Sequence, residues 1–254
     1  LIIMSADVTD NALLGGGLRF FQQKSGYRAA IDPVFLAASI DAGENISILD
    51  VGVGAGAAAL CLAKRLQEIQ ITGIEIQSEM VDLARRNAEE NGFSTRIDII
   101  HADILNPPTD LIDGSFDQVM TNPPFVEQSR GRGSTDAGKM IANQENSVPL
   151  NAWVEFCLKM LRPKGTMTII HRADRLDAIL AALNQKAGEI VIYPLWPGGR
   201  NKPAKRILVR CKKGARTPMA LLPGLVLHQA DGAFTAQANE ILRKGEGLDL
   251  SGRD

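Results

Sequence analysis

The chain has 254 residues, of which 45% are hydrophobic and 22% charged, with a net charge of −1. That is enough apolar material for a substantial core, with one domain as the first expectation, and it excludes a globally basic nucleic-acid-binding protein. No stretch approaches the roughly 18 apolar residues that span a bilayer. Leu1-Ile-Ile-Met4 is followed by Asp7 and Asp10, unlike a signal peptide, so a cytoplasmic protein is expected. The three cysteines, Cys61, Cys157 and Cys211, are far apart and form no Cys-x-x-Cys pair. They read as core thiols, and no metal site is expected.

In chain order, residues 1 to 45 contain Gly15-Gly-Gly17 and Phe20-Phe-Gln-Gln-Lys-Ser-Gly-Tyr-Arg28. This is a loop-like stretch before an apolar helix candidate, Pro33 to Ile40. From residue 46, short β-branched runs alternate with helical patterns, the signature of a parallel sheet with crossover helices. Strands are predicted at 46–51, 69–75, 97–101, 116–121 and 166–171. Helices are predicted at 57–67, 78–91, 149–161 and 174–186, the second with Ser78 as N-cap and Gly92 as stop. Residues 190–195 and 206–211 flank the turn-rich Trp196-Pro-Gly-Gly-Arg-Asn-Lys-Pro203 and read as an antiparallel hairpin at one sheet edge. The expected fold is α/β: a Rossmann-like, doubly wound mixed sheet of about seven strands, its last strand reversed. A helix candidate at 236–243 precedes a Gly- and charge-rich end expected to fray. The expected organisation is an N-terminal segment at 1–45 folding over a cofactor site, a main domain at 46–215 and a C-terminal extension at 216–254.

Two motifs carry the chemistry. Asp50-Val-Gly-Val-Gly-Ala-Gly56 closes the first predicted strand of this repeat, where glycines permit a sharp turn and close approach of a ligand to a helix N-terminus. Alone it also satisfies a loose dinucleotide fingerprint through Gly52, Gly54 and Ala57, and Glu75 lies 19 residues beyond Gly56, where an acid would hold ribose hydroxyls. Asp50 makes the mouth acidic, which suits the ammonium and sulfonium of S-adenosylmethionine and repels a pyrophosphate. Asp103 ends the third of these strands with a carboxylate able to accept from an adenine amino group.

The second motif, Asn122-Pro-Pro-Phe125, lies 66 residues after Gly56 and closes the strand 116–121. It has no role in hydride transfer. A conjugated amino nitrogen attacks an alkyl donor poorly because its lone pair is delocalised. The Asn122 side-chain carbonyl and the Pro123 backbone carbonyl can accept both of its N–H groups. The two prolines hold those carbonyls in one direction, and Phe125 offers an aromatic face. The predicted reaction is N-methylation with S-adenosylmethionine as donor. His101, His171 and His228 stand alone and read as structural or solvated.

These residues resemble the class I S-adenosylmethionine-dependent methyltransferases of the Asn-Pro-Pro-[Tyr/Phe/Trp] type. More closely, the chain is similar to bacterial tRNA (valine) adenine-N6 methyltransferases, which modify the adenosine 3′ of the anticodon. The likeness extends to Gln23–Arg28, Asp32-Pro-Val-Phe-Leu-Ala37, Pro203–Val209, Leu225-Val-Leu-His228 and Gly232-Ala-Phe-Thr235. It implies that Asp50, Gly52, Gly54 and Glu75 bind the donor's methionine and ribose, Asp103 its adenine, and Asn122 to Phe125 the target base. Tyr27 and Arg28, in the segment that folds over the cofactor, join the implied cofactor contacts, as does Asn122. Phe125 departs from the frequent tyrosine, keeping the ring and losing a hydroxyl.

Between Arg200 and Arg216 there are eight basic residues and no acidic one, with Lys202, Lys205 and Arg206 among them. This is a candidate phosphate-binding face for a tRNA partner, although an edge hairpin guarded by cations would look the same. Arg130, Arg132 and Lys139 form a second basic group in the loop after Phe125. The same Asn-Pro-Pro chemistry would serve a glutamine amide of a release factor, or a guanine amino group in rRNA. The basic hairpin and the Gly26-Tyr-Arg28 entry segment favour RNA, and the region before them reads as too short for the helical substrate domain expected of the glutamine enzymes. A nucleotide-binding module without turnover is the third reading, against which Asn122, Asp50 and Glu75 all stand.

Overall fold

The structure, a computed structural model, describes residues 8–24, 31–41, 43–124, 148–199 and 201–251. Its centre is β3 (Ile46–Val51), in which Ile48, Leu49 and Val51 are fully buried. A strand covered on both faces has to read this way, without polar alternation. Beside it lie β4 (Ile69–Glu75) and β5 (Ile97–His101) on one side, and β6 (Phe116–Thr121) and β7 (Leu161–Arg172) on the other, all parallel. The helices α1 (Asp32–Ala38), α2 (Ala57–Arg65) and α3 (Ser78–Glu90) contribute to the core on one face. The helices α4 (Leu150–Met160) and α5 (Leu176–Leu183) contribute to the core on the other. The doubly wound expectation is met.

The predicted hairpin is β8 (Ala187–Trp196) with β9 (Arg206–Lys213), but β9 is not at an edge. It inserts antiparallel between β7 and β8, giving the order β10-β8-β9-β7-β6-β3-β4-β5. Two short strands, β10 (Ala220–Leu221) and β11 (Leu225–Val226), add parallel to β8 and raise the sheet from the seven expected strands to nine.

Three expectations need correction. The loop-like stretch around Phe20 is part of an antiparallel hairpin, β1 (Val8–Leu13) with β2 (Leu18–Gln23), joined through a 3₁₀ turn at Leu14–Gly16. Phe20 and Phe21 are buried, and Asn87 of α3 clamps the hairpin: its Oδ1 accepts from the Phe21 N–H (2.7 Å), and its Nδ2 donates to the Phe21 and Ala55 carbonyls (2.8 Å each). Ser78 is the first helical residue of α3 and does not cap it; Gln77 holds the cap position without a side-chain bond. The C-terminal stretch does not fray over its described part. After α6 (Ala236–Asn239) and a π turn (Glu240–Lys244), Leu248 and Leu250 are buried. The Leu248 N–H donates to the Ala38 carbonyl (2.8 Å) and Arg210 donates to the Leu250 carbonyl (2.9 Å), so backbone and side-chain bonds tie the chain end to α1 and β9.

Candidate active site

A cleft of about 520 Å³ opens at the carboxyl ends of β3, β4 and β6. One wall is the glycine turn. Gly52 and Val53 both donate to the Ile74 carbonyl (2.9 and 3.0 Å), which folds the chain sharply over the end of β4. Gly52 and Gly54 have φ of +72° and +55°, in the left-handed region that glycine adopts without penalty. Their surroundings differ. A Cβ on Gly52 would meet the Trp153 ring at 2.9 Å, whereas a Cβ on Gly54 would meet nothing within 4 Å. The Gly54 backbone therefore faces open cleft.

Two carboxylates stand on adjacent strands at this wall, in contrasting states. Glu75 accepts from the backbone N–H groups of Gly54 (3.0 Å), Ile76 (2.9 Å) and Gln77 (3.0 Å). A carboxylate has about four acceptor positions, so about one remains, on Oε2. Asp50 is buried, and its Oδ2 has no hydrogen-bond partner among the described residues. Burial pushes the Asp50 carboxyl up to about 7, and the negative charge of Glu75 adds to the rise. A buried acceptor left without a donor is expensive, and a cationic ligand would relieve it.

The opposite wall is the turn after β6. Asn122, Pro123 and Pro124 line the same cleft as Asp50, Gly54 and Glu75. The turn is fixed from behind by a short chain of hydrogen bonds. Trp153 Nε1 donates to Thr121 Oγ1 (2.8 Å), which donates to the Val51 carbonyl (2.8 Å), so α4, β6 and β3 are tied together at the residues that precede Asn122 and Gly52. Asp103 also lines the cleft, while its carboxylate accepts from the Leu105 N–H (2.9 Å) and from Asn106 Nδ2 (3.3 Å) within its own turn.

Among the predicted site residues, the structure brings Asp50, Gly52, Gly54, Glu75, Asp103, Asn122 and Pro123 to one cavity. Lys202, Lys205 and Arg206 lie elsewhere, at the start of β9 and the turn before it. Arg206 donates from Nε to Asp32 of α1 (2.7 Å). Tyr27, Arg28, Phe125, Arg130 and Arg132 lie outside the described residues. Sequence reasoning missed Gln22, Gln23, Met80 and Trp153 in the cleft wall. Gln22 and Gln23 belong to the hairpin read as a loop, and Trp153 sits on a helix whose apolar face predicts only core. Among the described residues no cluster of His, Cys, Asp and Glu could hold a metal ion.

The family description "Methyltransferase small domain" matches residues 31–175, a span that covers both motifs and everything between them. The chain belongs to this family. The tRNA1(Val) (adenine(37)-N6)-methyltransferase of Porphyromonas gingivalis is 30% identical over 200 residues, covering 74% of this chain and 75% of that protein. The release factor glutamine methyltransferase of Chlorobaculum tepidum is 38% identical over a shorter stretch of 94 residues, 37% of this chain and 32% of that protein. A crystal structure of a predicted O-methyltransferase from Agrobacterium tumefaciens superposes with a TM-score of 0.73 at 25% identity, covering 87% of this chain and all of that one. The family member described here is an S-adenosylmethionine-dependent methyltransferase. Its cleft fits the cofactor on its own terms: Asp50 presents an unsatisfied buried acceptor for a cation, Gly54 an open backbone, and Glu75 a remaining acceptor position.

Proposed function

We propose that the enzyme methylates the exocyclic N6 of an adenine in tRNA beside the anticodon. The observation that carries this is the shared cleft, in which Asn122 and Pro123 face the carboxylates and glycines of the donor side. The extensive likeness to tRNA adenine-N6 methyltransferases supports the substrate class. In this reading Asp50 and Glu75 hold the donor's charged methionine end and ribose, with Gly52 and Gly54 at the turn, and Asp103 takes its adenine. S-adenosylmethionine, when bound, supplies a methyl group already activated by its positive sulfur. Asn122 and the Pro123 carbonyl accept the two hydrogens of the target amino group and orient its lone pair, so catalysis comes from alignment and fixed dipoles with no enzymic nucleophile. In this reading Phe125, after Pro124 in the chain, supplies a stacking face, and Tyr27 and Arg28 are further donor contacts, as the family resemblance implies.

Lys202 and Lys205 are exposed and, among the described residues, have no ion pair, which suits phosphate contact. Arg206 serves a different purpose in this reading, holding α1 through Asp32; Arg130 and Arg132, which follow the target turn in the sequence, are the remaining candidates for RNA contact. The shorter likeness to a release factor glutamine methyltransferase favours a second reading, transfer to a protein amide. Incubation with labelled donor and either unmodified tRNA or release factor, followed by digestion, separates the two. The expected product is N6-methyladenosine; labelled methylglutamine with unlabelled tRNA would replace the first reading by the second.

A further inference from the structure

A second concavity lies at the same carboxyl edge of the sheet, outside the catalytic cleft. It is an open apolar groove lined by Leu176, Ile192, Trp196, Pro203, Leu221 and Pro223, between the start of α5 and the end of β8. Its lip is unusual for a surface: Leu221 is 69% exposed, beside a half-buried tryptophan whose Nε1 donates to the Pro223 carbonyl (3.1 Å). An exposed apolar lip beside a concave apolar wall, rimmed by charge, is suited to a ligand with both an apolar face and an opposite charge.

The rim is cationic. Lys202 and Lys205 are exposed in the turn that supplies Pro203, and the Lys205 carbonyl accepts from the Ala173 N–H (3.1 Å), which holds that turn against the groove wall. At the end of β7, His171 is buried among positive charges. Burial chiefly, and then Arg175, Arg206 and Arg172, hold its pKa down at about 4, so three guanidiniums converge at this corner. Two of them have acidic partners, Arg172 with Asp174 and Arg206 with Asp32, and Asp177 is exposed on α5. Arg175, Lys202 and Lys205 have no ion-pair partner among the described residues.

Position connects the groove to the reaction. β6, β7 and β8 run parallel, so the Asn122 turn, the β7 end and Trp196 share one edge. From β6 across β7 and β9 to β8 is three strand spacings, about 14 Å. A stacked nucleic-acid strand advances about 3.4 Å per residue, so a few nucleotides cover that distance.

We propose that this groove takes an unpaired nucleobase a few residues from the target adenine, stacked on Trp196, with its backbone phosphates on Lys202 and Lys205. The proposal rests on the tRNA reading above and adds a second anchoring point for the substrate loop. A base offers a π-face to an aromatic ring whatever its identity, so the groove would contribute affinity rather than sequence readout. A protein segment would fill the apolar wall equally well, but the acid-free turn that carries Lys202 and Lys205 is complementary to phosphate.

The test uses the full chain, an unmodified anticodon stem-loop RNA and labelled donor. Trp196→Ala should raise the KM for that RNA about 5- to 100-fold, the range of one base–aromatic stack. Donor affinity by calorimetry should be unchanged, and kcat at saturating RNA should stay within about threefold. Trp196→Phe, which keeps a stacking face, should recover most of the loss. If Trp196→Ala fails to fold, Leu221→Asp decides the matter, since that side chain is solvent-facing and a carboxylate there repels phosphate. Wild-type methylation of the RNA with unchanged KM in the folded variants would remove the groove proposal and leave the tRNA reading intact. A wild-type enzyme that methylates only release-factor glutamine would overturn both. A Leu221→Asp change that converts a sedimenting dimer to a monomer without altering KM would identify the groove as a subunit contact and overturn the proposal.

Discussion

In the proposed reading, the donor side and the target side of the cleft are built on different principles. On the donor side nearly every polar group is already bonded: Glu75 accepts three backbone N–H groups, and Gly52 and Val53 share one carbonyl. Among the described residues of that side, Asp50 is buried with one oxygen unsatisfied. On the target side the described wall, Asn122 to Pro124, is held from behind through Thr121, and the groove proposed above for the substrate is apolar with Lys202 and Lys205 on its rim. A small cofactor of fixed shape can be met by groups aligned in advance, whereas a large polyanion is met by a surface with general attraction. The division predicts which variants lose chemistry, which lose donor and which lose RNA.

The largest effect is expected at Asn122. Asn122→Ala should lower kcat by at least about 10²–10³-fold, the loss of an electrostatic contact made at the reacting centre. Donor affinity should change less than about threefold. Calorimetry showing donor binding lost along with turnover would move Asn122 to the donor side and erase the contrast.

The two glycines separate fold from ligand. Gly52→Ala forces an L-residue to φ +72° and places a methyl 2.9 Å from Trp153, so it should cost about 2–4 kcal/mol of stability. Gly54→Ala pays only the left-handed backbone, about 1–2 kcal/mol, but points its methyl into the cleft and should weaken donor binding in proportion to that intrusion. Thermal melts with and without donor distinguish them. Equal donor affinities in the two variants would show that Gly54 does not face the cofactor.

The contrast explains what could be read from residues alone. Strands such as Ile46–Val51 and Phe116–Thr121 were legible because buried parallel strands need unbroken apolar runs, and the glycine and proline turns because only those residues permit such backbones. The β1–β2 hairpin was illegible. Thr9, Asp10 and Asn11 do not alternate with apolar residues, and the strand-forming context of Phe21 comes from Asn87, 66 residues away in α3. Arg206 was only half legible for a related reason: charge shows in the sequence, but its partner Asp32 lies 174 residues earlier. Trp153 carried no signal of its own, because a tryptophan on an apolar helix face looks like core until Thr121 and Gly52 are seen against it.

Asp50 makes the donor side sensitive to pH. With its carboxyl raised to about 7, the folded protein holds a proton there that the unfolded chain has already lost, between about pH 4 and 7. On this account the stability of the donor-free enzyme falls as pH rises through that window. Donor binding has the opposite preference, since the ionised form attracts the cation. Affinity should be level above about pH 8 and weaken by at most tenfold per unit below about pH 7. Asp50→Asn should flatten both dependences, raise the melting temperature at pH 8 and weaken donor binding by about 10- to 100-fold. An unchanged pH profile in that variant would assign the titration to another group.

The smallest effects belong to the cationic surface, where two neighbours differ. Lys205 is exposed without an ion pair among the described residues, and removing one phosphate contact should reduce the slope of log affinity against log salt by about 0.7 for a single-stranded site, with only a few-fold loss at moderate salt. Arg206→Ala should act through the fold, because it leaves the buried Asp32 carboxylate without its guanidinium and loosens α1 from β9. Its signature is a lower melting temperature without donor or RNA present, which Lys205→Ala should not show. If Arg206→Ala instead changes only the salt slope, its ion pair with Asp32 contributes nothing to stability, and that corner of the sheet belongs entirely to the RNA.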